Sequence, residues 1–196
     1  MVIIWLAIAY LLGAIPFGYL IARLQNIDIR RFGSGNIGAT NVFRTLGPVP
    51  GIIVFGLDLL KGTLATHLVM QATPNPWLII GGGALAVVGH SFPIFLNFKG
   101  GRGAATALGV VLAIAPDIFL AAAIVAATII YITKYVSLGS MTTAVFVTGT
   151  LIYFQRPLPY SLVSALITAL IIYRHIPNIK RLRAGTERKI GEQVDV

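Results

Sequence analysis

Seven blocks of almost uninterrupted apolar residues dictate what this chain can become, because nothing between them is long enough to form a water-soluble core. The blocks are 2–22, 51–70, 77–96, 104–115, 118–133, 138–154 and 158–173. A helix crosses the hydrocarbon core in about 20 residues. Hydrophobic residues make up 57% of the chain and charged ones only 11%, against about a quarter charged in soluble domains. The polar surface is too small to coat a globule, so lipid must solvate most of it. The first block has no basic segment before it and is longer than a signal sequence, so it reads as a mature span. The pattern predicts an all-α integral membrane protein, organised as a single domain over residues 1–196.

The fourth and fifth blocks are short and meet at Ala115-Pro116-Asp117, so they could form one kinked helix. Loop charge separates the two readings. With seven spans, thirteen Lys and Arg residues fall on one side and Arg156 alone on the other; with six, the division is seven against seven. Cytoplasmic loops are enriched in Lys and Arg. Seven spans are therefore expected, with the N-terminus outside and the C-terminal tail in the cytoplasm.

Three polar stretches lie on the basic side. The first is Gly33-Ser34-Gly35-Asn36-Ile37-Gly38-Ala39-Thr40-Asn41, followed by Arg44. Its glycines permit tight turns and close backbone approach. Ser34, Asn36, Thr40 and Asn41 supply short hydrogen-bonding groups. A helix opening after Gly38 would point its N-terminus at an anion, with Arg44 one turn along as a phosphate clamp. The spacing also fits a dinucleotide fingerprint, but that needs a βαβ unit, and the acidic residue 20 positions on, Asp58, falls inside an apolar block. A Walker loop is excluded because Ala39 stands where its lysine would be. The second stretch runs Gly89-His90-Ser91-Phe92-Pro93, then Lys99-Gly100-Gly101-Arg102-Gly103. Lys99 and Arg102 are cations in a glycine-rich turn and suit a second anion site, although positive-inside anchoring would also explain them. His90 ends a span, where a titratable group is either functional or bonded to backbone. In the third stretch, Lys180, Arg181 and Arg183 read as headgroup anchors, while His175, Asn178 and Glu187 do not fit that role. Asp58 and Lys61 share a helix face and read as a structural ion pair; His67 reads as structural.

Together these stretches resemble the bacterial acyl-phosphate:glycerol-3-phosphate acyltransferases. Gly33 to Val42 is similar to the family's first motif, Gly89-His90 with Lys99 to Gly103 to its second, and Asn178 to Arg181 with Gly185-Thr186-Glu187 to its third. Asp58-Leu59-Leu60-Lys61-Gly62 also looks like a family segment. The resemblance implies transfer of a fatty acyl group from acyl phosphate to the sn-1 hydroxyl of glycerol 3-phosphate at the cytoplasmic face of the bacterial inner membrane. It gives lysophosphatidic acid and inorganic phosphate, the first acylation of phospholipid synthesis. The partners expected are acyl phosphate, glycerol 3-phosphate and membrane lipid, with no nucleic acid, metal or cofactor.

The residues narrow the chemistry independently. There is no cysteine, hence no thiolate nucleophile. No Gly-x-Ser-x-Gly elbow occurs. The residues five after His67, His90 and His175 are Ala72, Phe95 and Lys180, so no His-x4-Asp signature exists either. Direct attack on an already activated mixed anhydride is expected, with positioning and charge stabilisation as the enzyme's main tasks. The departing phosphate can take the hydroxyl proton; His90 is the alternative base. The expected substrate contacts are Ser34, Gly35, Asn36, Gly38, Thr40, Asn41, Arg44, Lys99, Gly101, Arg102, His175, Asn178 and Glu187. A transporter for a phosphorylated anion is the competing class, and a non-catalytic scaffold a weaker one. Transporters favour midplane sites and internal repeats, and neither is visible here.

Overall fold

Pro16 divides the first apolar block. Proline lacks an N–H and clashes with the preceding turn, so α1 (Val2–Ala14) stops and α2 (Phe17–Arg23) leaves at 42°. The single straight span expected over 2–22 is thus a bent pair. The protein, represented by a computed structural model, is described for residues 2–192, which leaves Met1 and 193–196, the chain's two extreme ends, outside the description. The remaining helices are α3 (Ala39–Leu46), α4 (Pro48–Ala72), α5 (Pro76–Ser91), α6 (Ala104–Ile114), α7 (Pro116–Thr133), α8 (Val136–Tyr153), α9 (Leu158–Arg174) and α10 (Ile176–Arg183). The described residues contain no strand.

Prolines at the first helical positions set five of these starts: Pro48, Pro76, Pro116, Pro159 and Pro177 each lie in the first or second position of a helix, where the missing N–H is no loss. The fourth block parts from the fifth at the Ala115-Pro116 junction, where α6 ends and α7 begins. Helix α6 has 11 residues, about 16 Å, well short of the ~30 Å hydrocarbon core. The tail is not merely a string of anchors. It folds as α10, bent 56° from α9.

Small residues bring the helices together. A Cβ at Gly62 would lie 2.1 Å from the Thr106 carbonyl oxygen, and one at Gly109 would lie 1.9 Å from that of Leu59. Helices α4 and α6 therefore cross backbone against backbone. Gly13 against Ala86 and Gly89 against Tyr10 do the same for α1 and α5. Close approach through small residues is how helices associate where lipid removes the hydrophobic drive between them. The large side chains point the other way: Ile3, Leu120, Ile124 and Ile132 are all more than 60% exposed, an outer surface suited only to lipid.

Gly62→Val should separate α4 from α6 at a cost of about 1–3 kcal/mol, typical of overpacking, and lower the thermal midpoint in detergent. Gly149 faces open space, so Gly149→Ala should leave the midpoint unchanged or slightly raised.

Candidate active site

The first glycine loop is braced from within. Gly33 and Gly35 take φ of +60° and +69°, the left-handed region that glycine enters without strain. The Asn41 side chain, buried in α3, accepts from Ser34 N–H (2.8 Å) and donates to the Ile29 and Phe32 carbonyls. Asn36 accepts from Gly38 N–H at 2.8 Å. Expected as ligand contacts, these two asparagines use their side chains to hold the loop's own backbone. Donors that a free anion nest would offer are thereby taken. Gly38 caps α3 and, with Ala39 and Thr40, lines a cavity.

The second loop rests on the end of α5. Gly101 N–H donates to the His90 carbonyl (3.0 Å). Arg174 donates to the carbonyls of Gly100 (2.8 Å) and Gly101 (3.0 Å). Gly103, at φ +83°, starts α6. This arrangement turns Arg102 into the cavity wall, whereas Lys99 stands exposed outside the lining. Lys99, expected beside Arg102 as a phosphate contact, is therefore not brought to the cavity here. Two residues in a glycine turn with opposite outlooks cannot both face one ligand. Gly35 and Gly101 also lie outside the lining and contribute as turn formers.

The tail closes over the same mouth. Glu187 is buried and accepts from Asn178 (2.6 Å), Ser137 (2.8 Å) and Arg181 (2.7 Å). Arg44 donates to the Arg188 carbonyl at 2.5 Å, and Ile190 N–H donates to the Lys134 carbonyl. Arg181, expected as a headgroup anchor, is thus a partner of Glu187. Asn178, through Glu187, holds the tail and lies outside the cavity lining. Burial pushes the Glu187 carboxyl up, but the three hydrogen bonds and the Arg181 charge outweigh it and hold the group below the ordinary carboxylate range.

One cavity of about 460 Å³ joins these parts. Its polar end includes Ser34, Asn36, Thr40, Arg44, His90, Arg102, His175 and Glu187. His175 directs Nδ1 to the Ile171 carbonyl at 2.8 Å. Beyond this end the walls are apolar: Leu108 and Ile114 of α6, Ala123 and Ala127 of α7, Val147 and Leu151 of α8, Ile167 of α9. Along α8 the wall runs from Ser137 to Leu151, about 21 Å at 1.5 Å per residue.

The charges in this wall do not balance. Its two carboxylates are already matched, Asp58 by Lys61 (2.8 Å) and Glu187 by Arg181. Arg44 and Arg102 are left without an ion pair among the described residues. Burial pulls the Arg102 guanidinium down to about 10, with Glu187 opposing and Arg181, Arg44 and Arg174 adding to the fall. It stays charged at neutral pH. Burying charge without a partner is costly, so the mouth is complementary to anionic groups brought from outside.

Arg174, Ser137 and Arg181 were not among the expected site residues. Ser137 and Arg174 sit at the ends of apolar helices, where single polar residues carry no local signal.

Fold and cavity together define a polytopic helical membrane protein with a cationic mouth opening on an apolar slot. The model of one protein family, glycerol-3-phosphate acyltransferase, matches residues 3–185. Glycerol-3-phosphate acyltransferase 2 of Moorella thermoacetica is 49% identical over 96% of this chain and 97% of its own length. The Thermus thermophilus glycerol-3-phosphate acyltransferase is 41% identical over 98% of this chain and 97% of its own. The crystal structure of PlsY, an integral membrane glycerol 3-phosphate acyltransferase, in its glycerol 3-phosphate form superimposes with a TM-score of 0.94 at 42% identity, covering 97% of this chain and 96% of that one. Its lysophosphatidic acid form gives a TM-score of 0.91. The chain belongs to the glycerol-3-phosphate acyltransferase family.

Glu187→Gln should weaken tail docking by about 2 kcal/mol, the scale of a lost charge-assisted hydrogen bond, and speed tryptic cleavage after Arg183 and Arg188 roughly tenfold or more. The depressed carboxyl also fixes the sign of the pH effect. In the wild type the docking contribution is present at neutral pH and is lost only as pH falls through a value below about 4.3, the ordinary glutamate pKa. A fluorophore at Ala184 should report release in that acid range and not near neutrality.

Proposed function

We propose that this protein transfers a fatty acyl group from acyl phosphate to the sn-1 hydroxyl of glycerol 3-phosphate. The observation that carries the reading is a pair of guanidiniums, Arg44 buried and Arg102 half-buried, in the wall of a cavity that continues into an apolar slot. Both substrates bear phosphate, and one also bears an alkyl chain. The slot takes the chain; the mouth takes the phosphates. Solved relatives in glycerol 3-phosphate and lysophosphatidic acid forms support the acceptor and the product.

The hydroxyl oxygen attacks the acyl carbonyl carbon and the bond from that carbon to the phosphate oxygen breaks. Inorganic phosphate leaves and carries away the hydroxyl proton. The mixed anhydride is already activated, so the protein's contribution is alignment and charge stabilisation. The α3 N-terminus, at Ala39 and Thr40, holds one phosphate, while Arg44 and Arg102 neutralise phosphate charge. Ser34 and His175 orient glycerol 3-phosphate, while Asn178 and Glu187 set the tail against the mouth. His90 is packed against Gly101 and faces the Asp58–Lys61 pair, a setting suited to support more than to proton abstraction.

The whole chain, residues 1–196, acts as one domain. It crosses the bacterial inner membrane seven times, counting α1 with α2 as one bent span and short α6 as another. The N-terminus is outside, and the mouth and tail lie at the cytoplasmic face, where soluble glycerol 3-phosphate is found. Four helices long enough to span, two bent pairs and the shorter α6 are compatible with that count.

Detergent-purified protein given acyl phosphate and glycerol 3-phosphate should release inorganic phosphate with no vesicle or gradient. Release requiring a sealed membrane would point to transport instead. Arg102→Ala should raise the KM for a phosphate-bearing substrate about tenfold or more, the scale of a lost charge-assisted contact. His90→Gln should slow turnover yet keep the acid limb of the pH–rate profile. Disappearance of that limb would make His90 the base.

A further inference from the structure

The most deeply buried charges in the protein touch neither phosphate loop through their own helix, yet they reach both through neighbours. Asp58 and Lys61 lie on α4, each under 5% exposed, with Lys61 Nζ 2.8 Å from Asp58 Oδ1. His90 of α5 turns Nδ1 toward the same oxygen at 3.5 Å. A structural pair alone would need nothing further, but each end of this cluster continues.

On one side, Lys61 Nζ donates to the Ile15 carbonyl at 2.8 Å and lies 5.5 Å from the Phe17 ring centre. Ile15 is the residue before the Pro16 break, where the chain's bend leaves a carbonyl available to a side-chain donor. The bend aims α2, and α2 bears directly on the first glycine loop. A Cβ at Gly18 would lie 1.8 Å from the Ile37 carbonyl oxygen, which shows backbone resting on backbone one residue before Gly38. On the other side, the His90 ring bears on the second loop. A Cβ at Gly101 would lie 1.9 Å from His90 Nε2, and one at Gly100 would lie 2.2 Å from the His90 carbonyl oxygen. Gly101 precedes Arg102.

We propose that Asp58, Lys61 and His90 form a positioning unit that holds the two phosphate loops at a fixed separation, so that both substrates meet in register. Through Lys61 it sets the α1–α2 bend and hence Gly38 and α3; through His90 it sets Gly101 and hence Arg102. Asp58 and His90 line the cavity, but both are held within the cluster, and the acyl-transfer reading assigns the phosphates to Arg44, Arg102 and the α3 N-terminus. Substitution within the unit should therefore act on kcat, which needs both loops aligned, more than on the KM for either substrate. A misplacement of about 1 Å at a reacting centre can cost roughly 100-fold in rate.

The inference rests on the acyl-transfer reading, and one experiment keeps the two apart. Phosphate release is measured for the wild type, Asp58→Asn, Arg102→Ala and the double variant, all in detergent, each after size-exclusion chromatography. Wild type inactive with acyl phosphate and glycerol 3-phosphate defeats the acyl-transfer reading itself. With the wild type active, the positioning unit predicts at least a tenfold fall in kcat for Asp58→Asn with KM changed less. It also predicts that Arg102→Ala costs clearly less in the Asp58→Asn background, because Arg102 is already misplaced. Coupling of this kind marks residues in one network. Multiplicative losses, or an unchanged kcat in a folded Asp58→Asn protein, overturn it. Should Asp58→Asn not fold, His90→Gln replaces it in the same cycle with the same criteria. Asp117→Asn, at the far Arg156 pair, is the control and should show no coupling to Arg102.

Discussion

Two guanidiniums in a membrane protein's mouth, Arg44 buried and Arg102 half-buried, with no ion pair among the described residues, are the constraint that organises this structure. In such a setting a lone charge is expensive, and the chain gives Arg44 only the Arg188 carbonyl and neither Arg44 nor Arg102 a carboxylate partner among the described residues. Instead it commits its nearby acids elsewhere: Asp58 to Lys61, Glu187 to Arg181. The positive excess of the site is therefore maintained by the surrounding pairs. A phosphate entering the mouth restores neutrality, and the low-dielectric surroundings strengthen that interaction relative to water.

The same arrangement explains why so many polar groups of the loops bond to the protein itself. Loops at a membrane surface are usually mobile, and a catalyst without a nucleophile depends on geometry. Asn41 and Asn36 stiffen the first loop, Arg174 fastens the second, and Glu187 draws the tail over both. Small residues let α4 meet α6 and α1 meet α5 at backbone distance, which fixes the frame on which these loops are hung. The slot behind them is open because α7 presents Ala123, Ala126 and Ala127 to it.

Much of the fold was legible because membrane helices obey a local rule: twenty apolar residues must satisfy their own backbone. Blocks 51–70 and 118–133 emerged as α4 and α7 within a few residues. The division of the fourth block from the fifth followed from charge alone. The Pro16 bend was missed because apolar character runs straight through it. The motifs marked loops that the fold brings to one cavity, since glycine spacing and short polar residues are local signals too. What they could not reveal was direction. Lys99 and Arg102 look alike in sequence, yet only Arg102 reaches the cavity. Asn41, expected as a ligand contact, lines the cavity and also braces the loop. Arg181 looked like an anchor and is the partner of Glu187. Each of these depends on the direction a side chain takes in the folded loop or tail, and composition carries no record of that.

The central claim is that the mouth is an anion receptor set by Arg44 and Arg102. The most direct measurement is the thermal midpoint of the detergent-solubilised protein as ligand is added, since a ligand that binds only the folded state stabilises it. Glycerol 3-phosphate should raise the midpoint in the wild type, glycerol should not, and the rise should vanish in the Arg44→Ala, Arg102→Ala double variant. An equal rise with glycerol, or a rise that survives loss of both arginines, would contradict the account.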